Sequence, residues 1–154
     1  MLNDPQLLIV DEPTTGLDPT ERVRFRTLLA GLAADRLTIL PTHIIGDVAA
    51  VATRLILLRA GRLLADTTPE ELLRTAQRRA WTVYTDRPTA LRLQSEHPVS
   101  GLRRDAHGVQ LRVLSAARPH SSAVPAEPTV EDAYLLAVGG KTASTAVDPQ
   151  APPA

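Results

Sequence analysis

Residues 7–19 read LLIVDEPTTGLDP. Taken with Gln6, the opening QLLIVD is a short continuous apolar run that ends on an acid, which suits a parallel strand buried on both faces. Pro13 ends the strand. In open α/β sheets ligands bind beyond the carboxyl ends of the strands, and Asp11 and Glu12 stand at such an end. An aspartate there can hold Mg²⁺ on a nucleotide's phosphates, and an adjacent carboxylate leaving the strand can reach the water that attacks the terminal phosphate. Taken alone, the six residues are read more simply as a strand ending in a solvated turn.

Outward from this strand, Thr20 can cap a helix whose apolar residues Phe25, Leu28, Leu29 and Leu32 fall at i, i+3, i+4 and i+7, so that one face packs inward. Residues 36–40 (RLTIL) are a second candidate buried strand, followed by a turn at Pro41 and Thr42 and a helix-like stretch through Val48, Val51 and Ala52. This alternation predicts an α/β fold with a parallel sheet. Residues 54–58 and 62–66 read as a hairpin at a sheet edge, turning at Ala60 and Gly61 where a positive φ is needed. Thr68, Pro69 and Glu71 then supply an N-cap, a proline at N1 and a capping-box acid at N3 for a helix to about Gln77.

From Arg79 the pattern changes. Residues 81–85 alternate as a half-exposed strand, 89–96 suit a helix, and 109–114 alternate again after a turn at His107 and Gly108, which together predict a small α+β appendage. Residues 119–128 read as a linker, and 129–138 as a last helix with Thr129 as N-cap, Asp132 at N3 and Gly139 just past its end. The expected division is 1–77, 78–138 and a disordered tail over 139–154, rich in Ala, Thr and Pro.

The 154 residues carry 17 basic and 17 acidic side chains, so no overall positive field favours nucleic acid or anionic lipid. Cysteine is absent, which excludes disulfides and thiolate metal sites. Nothing at Met1 resembles a signal peptide, and no apolar run reaches the roughly 18–20 residues of a membrane-spanning helix. A cytoplasmic location follows, with any membrane role exercised through a partner chain.

The whole string LLIVDEPTTGLDP closely resembles the Walker B strand, catalytic glutamate and D-loop of ABC-type ATPases. Residues 38–44 (TILPTHI) are similar to the H-loop segment of that family, 54–66 to the hairpin after it, and 68–72 (TPEEL) to the following helix start. The closing stretch 127–138 (EPTVEDAYLLAV) is similar to the end of ATP-binding subunits of the ABC-2, drug-export-like branch. The resemblance implies a partial P-loop NTPase-like sheet, ATP and Mg²⁺ as ligands, a transmembrane permease subunit and a second ATP-binding subunit as partners, and a place at the inner face of the cell membrane. By residue it implies that Asp11 coordinates Mg²⁺ through water and Glu12 polarises the attacking water. It further implies that Gly16, Leu17 and Asp18 form a D-loop touching the partner's nucleotide site, and that His43 hydrogen-bonds the γ-phosphate. Pro41 departs from the family, which usually has serine there, and so removes a hydroxyl and a backbone N–H just before His43.

The phosphate-binding pattern G-x-x-x-x-G-K-[ST] does not occur in this sequence. Its nearest imitation, Gly140-Lys141-Thr142, has Leu135 at the first glycine position and follows a helix, whereas a phosphate loop joins a strand to a helix. The family's Q-loop and LSGGQ-like signature are also missing, so the chain is expected to begin inside a domain. Trp81, Tyr84 and Tyr134 are expected as core or subunit contacts, and His97, His107 and His120 as surface residues without metal-ligand spacing. Two functions follow: the ATP-hydrolysing part of an export transporter, itself inactive alone, or a non-catalytic fragment that binds a full-length subunit. A fragment unable to fold is the third.

Overall fold

The computed structural model describes residues 5–33, 36–106 and 108–139. Met1, His107 and the Gly140-Lys141-Thr142 triplet with the tail behind it lie outside the described residues. The elements in order are β1 (Leu7–Ile9), α1 (Pro19–Leu32), β2 (Leu37–Ile39), α2 (Ile45–Ala49), β3 (Leu55–Arg59), β4 (Arg62–Thr67) and α3 (Pro69–Ala76). They continue with β5 (Ala80–Thr85), α4 (Arg87–Glu96), β6 (Val99–Asp105), β7 (Gly108–Leu114), β8 (Val124–Pro125) and α5 (Val130–Gly139). The fold is a mixture of helices and sheets, and none of the described helices is long and apolar enough to cross a membrane.

β1 and β2 pair in parallel, with Leu7 opposite Leu37 and Ile9 opposite Ile39. Leu8, Val10 and Leu40 are half-buried, and Leu29 of α1 is buried. The other face is bare: Leu7, Ile9, Leu37 and Ile39 are 49%, 60%, 63% and 43% exposed. Burial on both faces, expected from the apolar run, is therefore corrected. Side chains alternate across a strand, so a two-stranded sheet covered on one side leaves every second residue in water. β3 and β4 form a separate antiparallel hairpin and not an extension of the parallel pair. Ala60 and Gly61 both take positive φ (49° and 73°), the requirement of a two-residue turn whose twist matches the flanking strands.

Asp18, not Thr20, caps α1. Its carboxylate accepts the Glu21 N–H at 2.8 Å while Glu21 reaches back to the Asp18 N–H, a capping box that starts two residues earlier than the expected cap. The Thr68–Glu71 box on α3 forms as expected.

The C-terminal sheet has the order β6-β7-β5-β8 and is antiparallel throughout. Val83, Leu93, Leu111, Val113 and Ala123 form its core beneath α4, with Trp81 packed at the margin and its indole N–H donating to the Ser115 carbonyl at 3.0 Å. β6 lacks the clean alternation that marks β5 and β7, and the stretch expected as a linker contributes β8, which pairs Val124 and Pro125 with β5. Proline is tolerated there because β8 is an edge strand.

α5 leaves this sheet and packs on the other half of the chain. Val130 and Ala133 join Leu55, Leu72 and Ala76 in a second cluster, against which Ile45, Ala49, Ala52, Leu57 and Leu136 also pack. Gly139, expected past the helix, is its last residue. Asp132 is 0% exposed. It accepts from Arg112 Nε at 3.0 and 2.9 Å and Nη2 at 2.6 Å, from the Ser100 hydroxyl, and from the Thr129 N–H at 2.8 Å.

Burial pushes the Asp132 carboxyl up, but the bonds from Arg112, Ser100 and the Thr129 backbone outweigh it and hold the group below the usual aspartate range. A depressed folded-state value gives stability that is complete above the unfolded-state value, about 4, and is lost as pH falls through the folded one. Urea unfolding from pH 6 to pH 2 should therefore show the stability gap between the native chain and its Asp132→Asn variant shrinking below about pH 4. A gap constant across that range would show that the pair does not set acid stability.

Candidate functional site

The site lies where β1 and β2 end. Parallel pairing continues past the strands: the Val10 N–H donates to the Ile39 carbonyl at 3.0 Å and the Glu12 N–H to the Pro41 carbonyl at 3.0 Å. This register brings Glu12 beside the loop from Pro41 to Ile44. Beneath it, Pro13, Thr14, Phe25, Leu29, Leu40 and Val51 come together and support both loops from the α1 side.

Glu12 has φ of 44°, in the left-handed region, and is followed by Pro13. A non-glycine residue there costs about 1–2 kcal/mol, and such strain persists where the surroundings over-determine it. Here the surroundings are hydrogen bonds. Glu12 Oε1 accepts the His43 backbone N–H at 3.0 Å and lies 2.7 Å from His43 Nδ1. Because an ionised carboxylate only accepts, the hydrogen of the latter bond sits on Nδ1, which leaves Nε2 pointing away from Glu12. Glu12 Oε2 accepts from the Thr42 hydroxyl at 3.1 Å and the Thr15 hydroxyl at 3.4 Å. Thr42 Oγ1 in turn accepts the Ile44 N–H at 3.1 Å.

The Glu12 carboxyl is held below the usual glutamate range, first by the His43 side chain; loss of hydration opposes this, and the bonds from Thr42 and the His43 backbone add to the lowering. Glu12 is thus a fixed carboxylate at neutral pH. Its side chain is 34% exposed and that of His43 is 78% exposed, so water reaches both.

The structure therefore brings Glu12 and His43, 31 residues apart, into direct contact. Asp11 is exposed at the end of the strand run. Gly16 takes φ of 82°, the conformation for which glycine is suited, in a turn where the Thr15 N–H donates to the Glu12 carbonyl and the Leu17 N–H to the Thr14 carbonyl, each at 3.2 Å. The Leu17 carbonyl accepts from Arg22 Nε at 3.2 Å, and the Asp18 carboxylate is engaged as the α1 cap. Two contributions escaped sequence reasoning: that of the Thr42 hydroxyl, which holds Glu12, and that of the Pro41 carbonyl, which accepts the Glu12 N–H. A hydroxyl residue directly before His43 was the available signal for the first.

As a ligand set, one exposed carboxylate with a second beside it suits Mg²⁺, which binds through one or two carboxylates together with substrate phosphates. Among the described residues no group of three or more His, Cys, Asp and Glu could form an all-protein metal cage.

Comparison with known proteins bears on this geometry. The chain is 45% identical over 74 residues to a Nod factor export ATP-binding protein I of Rhizobium leguminosarum bv. viciae, covering 47% of this chain and 24% of that protein. The corresponding protein of Rhizobium meliloti is 45% identical over 74 residues (47% and 22%), and that of Cupriavidus metallidurans 40% over 74 residues (47% and 24%). These similarities support an ABC transporter ATP-binding domain for the matched stretch. No family model matches the chain. The chain spans about a quarter of the length of the curated relatives it matches. The bare face of β1 and β2 is unusual for a parallel pair, since parallel sheets are ordinarily covered on both sides.

Proposed function

We propose that this chain supplies the carboxylate end of the ATP-hydrolysing site of an ABC export transporter. The observation that carries the proposal is the Glu12 carboxylate at the ends of two parallel strands, ionised and held by His43 and Thr42. Its four bonds fill the roughly four lone-pair sites of a carboxylate, and the longest, from the Thr15 hydroxyl at 3.4 Å, is the one that a water displaces. Glu12 thus accepts a hydrogen from the attacking water and aims its oxygen at the terminal phosphate. Asp11 holds Mg²⁺ through water, and the metal, when bound, neutralises charge on the phosphates. The Nδ1–H bond to Glu12 orients the His43 ring, leaving Nε2 for the γ-phosphate. Gly16, Leu17 and Asp18 face the nucleotide site of a second ATP-binding subunit, and a permease subunit couples hydrolysis to export from the inner face of the membrane.

The exposed row of Leu7, Ile9, Leu37 and Ile39 favours a second reading, a fragment that associates with another subunit without processing nucleotide. A reconstituted subunit separates the two. This chain, joined behind the segment of a related ATP-binding protein that carries G-x-x-x-x-G-K-[ST], should hydrolyse ATP in the presence of Mg²⁺, while neither part alone does. A joined protein that folds and binds ATP yet leaves it intact would favour the second reading.

A further inference from the structure

The two halves of the chain meet through α5, and its mooring is uneven. On one side the helix is tied to the C-terminal sheet by charge: Asp132, fully buried, is clasped by Arg112 of β7 and by Ser100 of β6, and Arg112 also donates to the Glu127 carbonyl just before the helix. On the other side the contact is apolar, through Val130, Ala133 and Leu136, on a cluster that includes Ile45 and Ala49 of α2. Arg59 of the hairpin closes the far end by donating to the Val138 carbonyl. α2 is only five residues long, below the length at which a helix is stable by its own hydrogen bonds, so its position depends on what it packs against. Ile45 begins α2 two residues after His43, and the intervening Ile44 N–H is bonded to Thr42, which holds Glu12.

We propose that Arg112 and Asp132 are positioning residues for the His43 loop, acting through α5 on α2. Neither touches the site. Removing the charge frees α5 from the sheet, α2 loses its support, and Thr42 and His43 are no longer held against Glu12. The C-terminal sheet is in this way a means of setting the geometry of the hydrolytic end of the chain, and movement of that sheet reaches His43 through α5 and α2. The catalytic consequence rests on the function proposed above, whereas the structural coupling does not.

Hydrogen exchange followed by mass spectrometry on the 154-residue chain without nucleotide tests the coupling directly. In Asp132→Asn, which keeps the side-chain shape, amides of residues 42–49 should exchange several-fold faster together with those of α5, while β5 and β7 keep their protection. Ser100→Ala removes one weaker bond and serves if Asp132→Asn loosens the whole sheet; it should produce a smaller rise in the same two segments. Faster exchange in α5 with none in residues 42–49, or no change in α5 with either variant, overturns the proposal. In the reconstituted subunit Asp132→Asn should lower kcat several-fold at unchanged KM for ATP. An unchanged kcat there, with Glu12→Gln still inactive, overturns the catalytic half, whereas a fully active Glu12→Gln protein places the failure in the function assigned to Glu12.

Discussion

Replacing Glu12 with glutamine in the reconstituted subunit lowers ATP hydrolysis by about 10²-fold or more, the range removed with a general base, and leaves ATP binding in place. The hydrogen-bond geometry is why the two should separate. Oε1 receives both bonds from His43, so the glutamine carbonyl can take that position and keep them. The amide NH₂ then faces Thr42, whose hydroxyl can turn from donor to acceptor. The loops stay in register, and the substitution removes little except the negative charge that orients the water. Steady-state hydrolysis measured beside equilibrium nucleotide binding is the check. Turnover equal to that of the unsubstituted protein would move the catalytic role away from Glu12.

The second large effect concerns the 154 residues alone: titrated with Mg-ATP in a calorimeter, they should show no saturable binding tighter than about 100 μM, or some 5–6 kcal/mol. Affinity in phosphate-loop sites comes mainly from backbone N–H groups and a lysine around the phosphates, and this sequence has no such loop. Asp11 and Glu12 without that cradle are two negative charges facing a polyanion. Mg²⁺ could bridge them only weakly, because it gives up its waters reluctantly. Saturable binding below that limit would mean that the chain contains a nucleotide site built from other groups.

Much of this protein is determined by short-range sequence. The cap of α3 at Thr68, the cap of α5 at Thr129 and the Ala60–Gly61 turn were legible because each depends on residues within four positions of one another. The run QLLIVD identified a strand and its acidic end for the same reason. The start of α1 was misjudged by two residues, since apolar spacing marks where a helix packs and not which side chain takes its first free N–H; Asp18 does so with Glu21 at N3. β6 and β8 were not legible, because an edge strand with mixed polarity has no two-residue period, and its identity comes from the β5 and β7 backbones it pairs with.

The candidate site divides in the same way. Local sequence, together with the family resemblance, pointed to Glu12 and His43 separately. Only the tertiary structure decided that they bond to each other, because contact across 31 residues requires the parallel register of β1 with β2. The burial of Asp132 against Arg112 likewise depends on the docking of α5 across β6 and β7. The bare face of Leu7, Ile9, Leu37 and Ile39 was hidden from the sequence for a related reason: an apolar run says that a strand can be covered on both sides, and packing alone decides how many sides are covered.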